Sequence, residues 1–281
     1  MNSHLSLRRK FLPTKVFYKS KSGLKFRQDK LKDPNKLPDN ASSFKQIHRE
    51  ALNLYYNNAH SANEILDPLP DNYKINNNLL IGNFTRDNLL LAESENPILK
   101  KLNSRTERNL AKYLNKLEFN EEPFLMSLQP DFSFTVSEKD ISAKVKFSIV
   151  KENVILCIDG DKHVHSLRPK TEHGKSQISA EILACAFTNF YNIRSSRFKM
   201  DQTIHAMRVV GTRFTFYKAF LSRDYFESLK HGFPPENLTA TIFRFPPSDN
   251  ITFYGYDYVD KDHSRLILDL LFRLKEYMLK A

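Results

Sequence analysis

Three aspartates sit in apolar frames that leave little room for charge. Asp131 follows Pro130 and opens a run in which Phe132, Phe134 and Val136 alternate with Ser133 and Thr135. Asp159 and Asp161 close the apolar run Val154-Ile155-Leu156-Cys157-Ile158, and Lys162 comes next. Carboxylates and an ammonium at the end of a core strand are costly to desolvate unless they are paired or hold a metal. Hard cations such as Mg²⁺ take oxygen ligands and keep several waters. Carboxylates from two adjacent strand ends can supply some of those oxygens. A cation held there polarises a phosphoryl oxygen and lowers the pKa of bound water, and Lys162 can orient the attacking water.

Other polar residues extend the set. Gln177 and Glu181 are four apart and share one helix face, which Thr188 prolongs, while Ile178, Ile182 and Cys185 lie on another. The loop 162–175 carries Arg168, Lys170 and Lys175, cations suited to a nucleic-acid backbone. Glu107 closes a capping-box pattern that begins at Ser104. The run Arg208–Lys218, with Arg213, Phe214, Phe216 and Tyr217, reads either as a nucleic-acid grip or as a core strand. His163, His165 and His173 flank the helix, but no Cys/His pair has finger spacing. Plainer readings exist for each: a solvated face for Gln177 and Glu181, and a turn for Asp159-Gly160.

Several elements must position these groups. A helix from Ser104 carries Leu110, Leu114 and Leu117 as a stripe. Three strands follow: one opening at Asp131, one around 144–150, and a doubly covered one at 154–159. A helix is expected from Ser176 to about Tyr191, then strands at 207–220 and 239–245, then a helix over 263–280 capped by Asp262 or Ser264. Helices flanking a mixed sheet give a three-layer α/β/α fold. Residues 1–95 read as a basic arm plus a short helical and linker region, with Phe44, Ile47, Ala51, Leu54 and Tyr55 as one helical stripe. Residues 96–281 read as the domain.

Composition narrows the class. Net charge is +11, and the first forty residues alone hold eleven Lys/Arg against three Asp. Such an arm suits a polyanion. No stretch approaches the ~20 apolar residues of a membrane span. Two cysteines in apolar runs read as buried free thiols in an intracellular, reducing compartment, with the nucleus a candidate.

Pro130-Asp131, the strand end Asp159-Gly160-Asp161-Lys162 and the helix with Gln177 together resemble the PD-(D/E)XK nuclease superfamily. The nearest branch carries a Gln-x-x-x-Tyr helix signature. Asp161-Lys162-His163, Gln177–Cys185 and Gly211–Lys218 are also similar to fungal proteins tied to mobile elements and to Crinkler-type effectors. The resemblance covers about 104–280. It implies a restriction-endonuclease-like core that binds Mg²⁺ or Mn²⁺ and hydrolyses DNA. Asp131 would be the first metal carboxylate, Lys162 the motif lysine, Gln177 the helix polar residue and Glu107 an upstream acid. Gly160 occupies the place of the family acid. A bulge that rephases Asp159 or Asp161 is one repair, and an Asp-x-Asp pair is another. A silent domain that only binds nucleic acid or a host protein is the alternative function. Glu181 stands where the family has Tyr. A cytosolic interaction protein built on the C-terminal helix is the reading outside nucleic-acid chemistry.

Overall fold

A computed structural model describes residues 31–70, 73, 114, 117–161, 172–195, 197–210, 212–247, 255–258 and 260–280. Among these, eight strands form one mixed sheet in the order β1-β9-β8-β7-β6-β5-β2, with β10 paired to β8. The strands are β1 (Leu54–Asn58), β2 (Leu125–Leu128), β5 (Phe147–Lys151), β6 (Asn153–Asp161), β7 (Gln202–Val210), β8 (Arg213–Leu221), β9 (Ala240–Phe245) and β10 (Tyr256–Asp257). β3 (Asp131–Val136) and β4 (Lys139–Lys144) pair separately. The described helices are α1 (Gln46–Ala51), α2 (Glu172–Phe190), α3 (Arg223–Leu229) and α4 (Lys261–Lys280). The fold class is mixed α/β. No described helix is long and apolar enough to cross a membrane.

Strand alternation sorts side chains into two cores. Leu156, Ile158, Met207, Val209, Phe214 and Phe216 pack with Ile267, Leu270, Leu271 and Leu274 of α4. Cys157, Ile204, Ala206, Tyr217 and Ala219 pack with Ile178, Ile182 and Cys185 of α2. α2 also has β3, β4, α1 and α3 against it, so it is covered on both sides. That is why every residue from Ile178 to Ala186 is buried, whatever its polarity.

The expected strand at 144–150 is two strands, β4 and β5. The same pairing register holds on both sides of Gln129-Pro130, from Leu125↔Val150 to Leu128↔Phe147 and from Asp131↔Lys144 to Val136↔Lys139. β2–β3 and β4–β5 are therefore the two arms of one long hairpin. Gln129 takes a φ of +50 and Pro130 follows, so the chain turns there. The inner half stays in the sheet, and the outer half folds over α2.

Three further expectations are corrected. The single strand at 207–220 is the hairpin β7–β8, whose antiparallel register runs from Gln202↔Leu221 to Val210↔Arg213. Asp260, not Asp262 or Ser264, caps α4, its Oδ1 accepting from the amides of Asp262 and His263 at 3.0 Å. The division at residue 95 does not hold. β1 pairs in parallel with β9, and Leu37, Phe44, Leu52, Leu54, Ile65 and Leu66 are core residues. The helical stripe ends at Ala51 because Asn53, at φ +50, redirects the chain into β1.

His205 ties β7 to this early segment. Its Nε2 donates to the Ile65 carbonyl at 3.2 Å, and its ring meets Tyr277 edge-on. Burial pushes its pKa down to about 4, with Lys218 adding in the same direction. The unfolded chain thus binds an extra proton between about pH 6.5 and 4. Stability present above 6.5 is lost on acidification through that window, by up to ~1.4 kcal/mol per pH unit. Urea unfolding from pH 7 to 4.5 is expected to show this slope, and His205→Gln is expected to flatten it.

Candidate active site

The candidate site lies where β6 and β7 end, under the first turns of α2. β6 and β7 run parallel with Asp159 opposite Arg208 and Asp161 opposite Val210. Positions 159 and 161 are in phase with Cys157, which belongs to the α2-side core, and position 160 is out of phase. The ladder continues regularly through Gly160, and the one β6 irregularity lies near Ile149/Val150. The bulge that would rephase the strand is therefore absent from the described pairing, and the Asp-x-Asp arrangement remains.

From α2, Glu181 is 1% exposed, and its Oε1 accepts from Gln177 Nε2 at 2.9 Å. Gln177 is half-buried. Their common stripe also carries Gly174 one turn earlier. A Cβ at Gly174 would stand 2.1 Å from Nη1 of Arg208 and 2.6 Å from its Cζ. The guanidinium of Arg208 thus lies directly on the first described turn of α2. The Gly174→Ala change is expected to displace it at little cost in stability. Ala is favoured over Gly in helices by about 1 kcal/mol, which offsets movement of a flexible side-chain end. A thermal melt reads that near-neutral balance.

Tyr56 of β1 braces the same turn. Its hydroxyl donates to the Lys175 carbonyl at 2.7 Å and accepts from Ser179 Oγ at 2.9 Å. Burial raises its pKa far above the usual phenol range, so it stays neutral. The Arg49 guanidinium lies 5.5 Å from the Tyr56 ring centre.

Asp131 does not join this group. Phe134 and Val136 belong to the α2-side core, and Phe132 packs against it. Asp131 alternates to the opposite face of β3 and is exposed, with Lys144 Nζ at 3.5 Å. The β4–β5 arm lies between it and β6, so the expected adjacency of the two acidic strand ends is not present. At that level the intervening arm carries Lys144 and Lys146. Thr188 lies on the same stripe two turns beyond Glu181, where it is exposed and its Oγ1 donates to the Ala184 carbonyl at 2.9 Å.

Glu107, Lys162, Arg168 and Lys170 lie outside the described residues, as do His163 and His165. The side chains of Asp159, Asp161 and His173 do too. Lys175 is half-buried on α2. Phe214, Phe216 and Tyr217 are buried, so the Arg208–Lys218 run is core rather than a stacking platform. Both cysteines are buried free thiols. Among the described residues, no three His, Cys, Asp or Glu side chains form a metal-sized group.

Sequence reasoning missed Gly174 and Tyr56, and named Arg208 only as the start of a run that could grip nucleic acid. Arg208 stands alone in Ala206-Met207-Arg208-Val209-Val210, the same charge-in-apolar-frame signal that picks out Asp159. Tyr56 fell beside a segment assigned to a helix. No protein-family model matches the chain, and no curated protein matches it.

Proposed function

We propose that the chain is a metal-dependent nuclease of PD-(D/E)XK type, with a restriction-endonuclease-like core, acting on DNA phosphodiesters. The observation that carries the reading is the buried Glu181, held by Gln177 on the stripe of α2 whose first turn, at Gly174, meets Arg208 near the end of β7. The antiparallel run β2–β5–β6, then α2, then the parallel strand β7 supports the core. Resemblance in Asp159–Lys162 and Gln177 supports the class.

The acid set is Asp159, Asp161 and Glu181, with Asp131 left out. All are oxygen donors, which fits Mg²⁺ or Mn²⁺ rather than a soft metal. Bound there, the cation would polarise the phosphoryl oxygen and acidify a water. Gln177 fixes the rotamer of Glu181. Arg208 presents a planar cation suited to a phosphate oxygen. Tyr56 and Ser179 lock the turn on which Lys175 and Gln177 sit.

Plasmid DNA incubated with purified protein is expected to be nicked with Mg²⁺ or Mn²⁺ and untouched with EDTA. Intact plasmid with both metals ends the hydrolytic reading. Binding without cleavage would then favour the silent alternative, which Gly160 at the family acid position favours on its own.

A further inference from the structure

At the opposite end of the sheet, residues 191–201 connect α2 to β7 with an inverted pattern of burial. The inward side chains are polar. Asn153 Nδ2 donates to Ser195 Oγ at 2.5 Å, and Ser195 Oγ accepts from the Arg197 amide at 3.0 Å. Gln202 Nε2 donates to the carbonyls of Arg197 at 3.2 Å and Met200 at 2.9 Å. Asn192 Nδ2 donates to the Glu152 carbonyl at 3.1 Å, and the Lys199 amide to that of Phe190 at 2.9 Å. Asn153, Ser195 and Gln202 are all buried. The exposed side chains beside Arg194 are apolar: Ile193 is 79% exposed, Met200 54% and Phe198 38%.

Large exposed apolar side chains gathered on one rigid support mark an interaction surface. This one is wider than the loop. Phe220, near the end of β8, pairs with Thr203 beside it and is exposed. Leu279 of α4 is exposed, and its carbonyl accepts from Lys151 at the end of β5. Arg197 hydrogen-bonds Tyr277 of α4, which ties the loop to that helix. A loop locked this way loses little conformational entropy on binding.

Charge selects the partner. Residues 191–200 include Arg194, Arg197 and Lys199 and no acid. The Lys199 ammonium lies 5.2 Å from the Phe198 ring centre. Asp201 is engaged elsewhere, its carboxylate accepting from the Arg223 amide at the start of α3. Ile193, Met200 and Leu279 are aliphatic, and of the two exposed rings Phe198 already carries the Lys199 ammonium over one face, so the surface lacks the run of successive stacking faces that single-stranded nucleic acid uses. Spread over the 191–201 loop, β8 and α4, they make a broad apolar centre with a basic rim, the anatomy of a protein interface.

We propose that this end of the fold docks a protein partner whose contact is an apolar helix face rimmed by carboxylates. β6 spans the distance from this surface to the candidate active site, roughly 25–30 Å for nine residues. A docked partner therefore leaves the candidate active site open.

The probe is a helical peptide of about 20 residues with Leu and Phe at i, i+3, i+4 and i+7 and Glu elsewhere, beside a Lys-for-Glu control. Titrated against the full chain, the acidic peptide is expected to bind, to weaken with salt, and to outbind the control by about tenfold or more. The Ile193→Ser/Met200→Ser double variant, whose altered positions are exposed and whose melt is expected to match wild type, is expected to lose about tenfold in affinity. Equal binding of the two peptides, or affinity unchanged in the variant, overturns the proposal. So does Ile193-dependent adsorption to phosphatidylserine vesicles without peptide binding, which would make a lipid surface the occupant. Concentration-dependent dimers lost in the variant would make a second copy the occupant and overturn it too.

Discussion

Glu181→Gln is expected to lower Mg²⁺-dependent DNA cleavage by about 100-fold or more, because it removes a charged metal donor from a dry site. The amide keeps the shape of the side chain, and its oxygen can still accept from Gln177 Nε2. The melt of this variant should therefore stay near wild type, so lost cleavage would not be lost folding. Asp131→Asn is expected to change cleavage by less than about twofold, as an exposed substitution usually shifts free energies by under ~0.5 kcal/mol. Its carboxylate faces solvent beside Lys144, on the side of β3 away from α2. Initial rates on a supercoiled plasmid compare the two. A large loss at Asp131 with none at Glu181 would reverse the assignment of acids.

A chain that begins at residue 96 is expected not to fold. Removing β1 strips β9 of its parallel partner and removes Phe44, Leu52 and Leu54 from one core and Ile65 and Leu66 from the other. Each large apolar residue lost from a core costs about 2–5 kcal/mol, against a total stability of about 5–15 kcal/mol. Polar ties go as well. Tyr225 loses the Leu52 carbonyl at 2.7 Å, and the Pro234 carbonyl loses Asn53 Nδ2 at 2.9 Å. Ser142 of β4 loses the Asp39 carbonyl that accepts from its amide at 2.9 Å. Circular dichroism and a thermal melt of 96–281 check this. A cooperative transition in that fragment would restore the boundary read from the sequence.

Part of the strand pattern was legible. Alternation at Phe132, Phe134 and Val136 placed β3, and the two-sided apolar run before Asp159 marked β6 as a covered strand. The polar pair Gln177–Glu181 was also legible, because four-residue spacing on a helix needs no tertiary knowledge. Its burial was not. Glu181 is enclosed because its stripe, which includes Gly174, packs on the sheet side of α2, while the outer hairpin arm departs at Gln129, whose positive φ no residue type announced. The same departure takes Asp131 away from β6, so a short sequence motif was misleading about spatial adjacency. β1 was hidden because Leu54 and Tyr55 continue a helical spacing that Asn53 interrupts. Arg208 was named only within a run, and its place beside α2 was hidden because it comes from Gly174, a contact between residues 34 positions apart.

Calorimetric titration with Mn²⁺ tests the central claim most directly, since it needs no substrate and no turnover. The acids at 159, 161 and 181 predict saturable uptake that survives Asp131→Asn and is abolished by Asp161→Asn and by Glu181→Gln. No uptake by the wild-type chain, or uptake that persists in both of the latter variants, would contradict it.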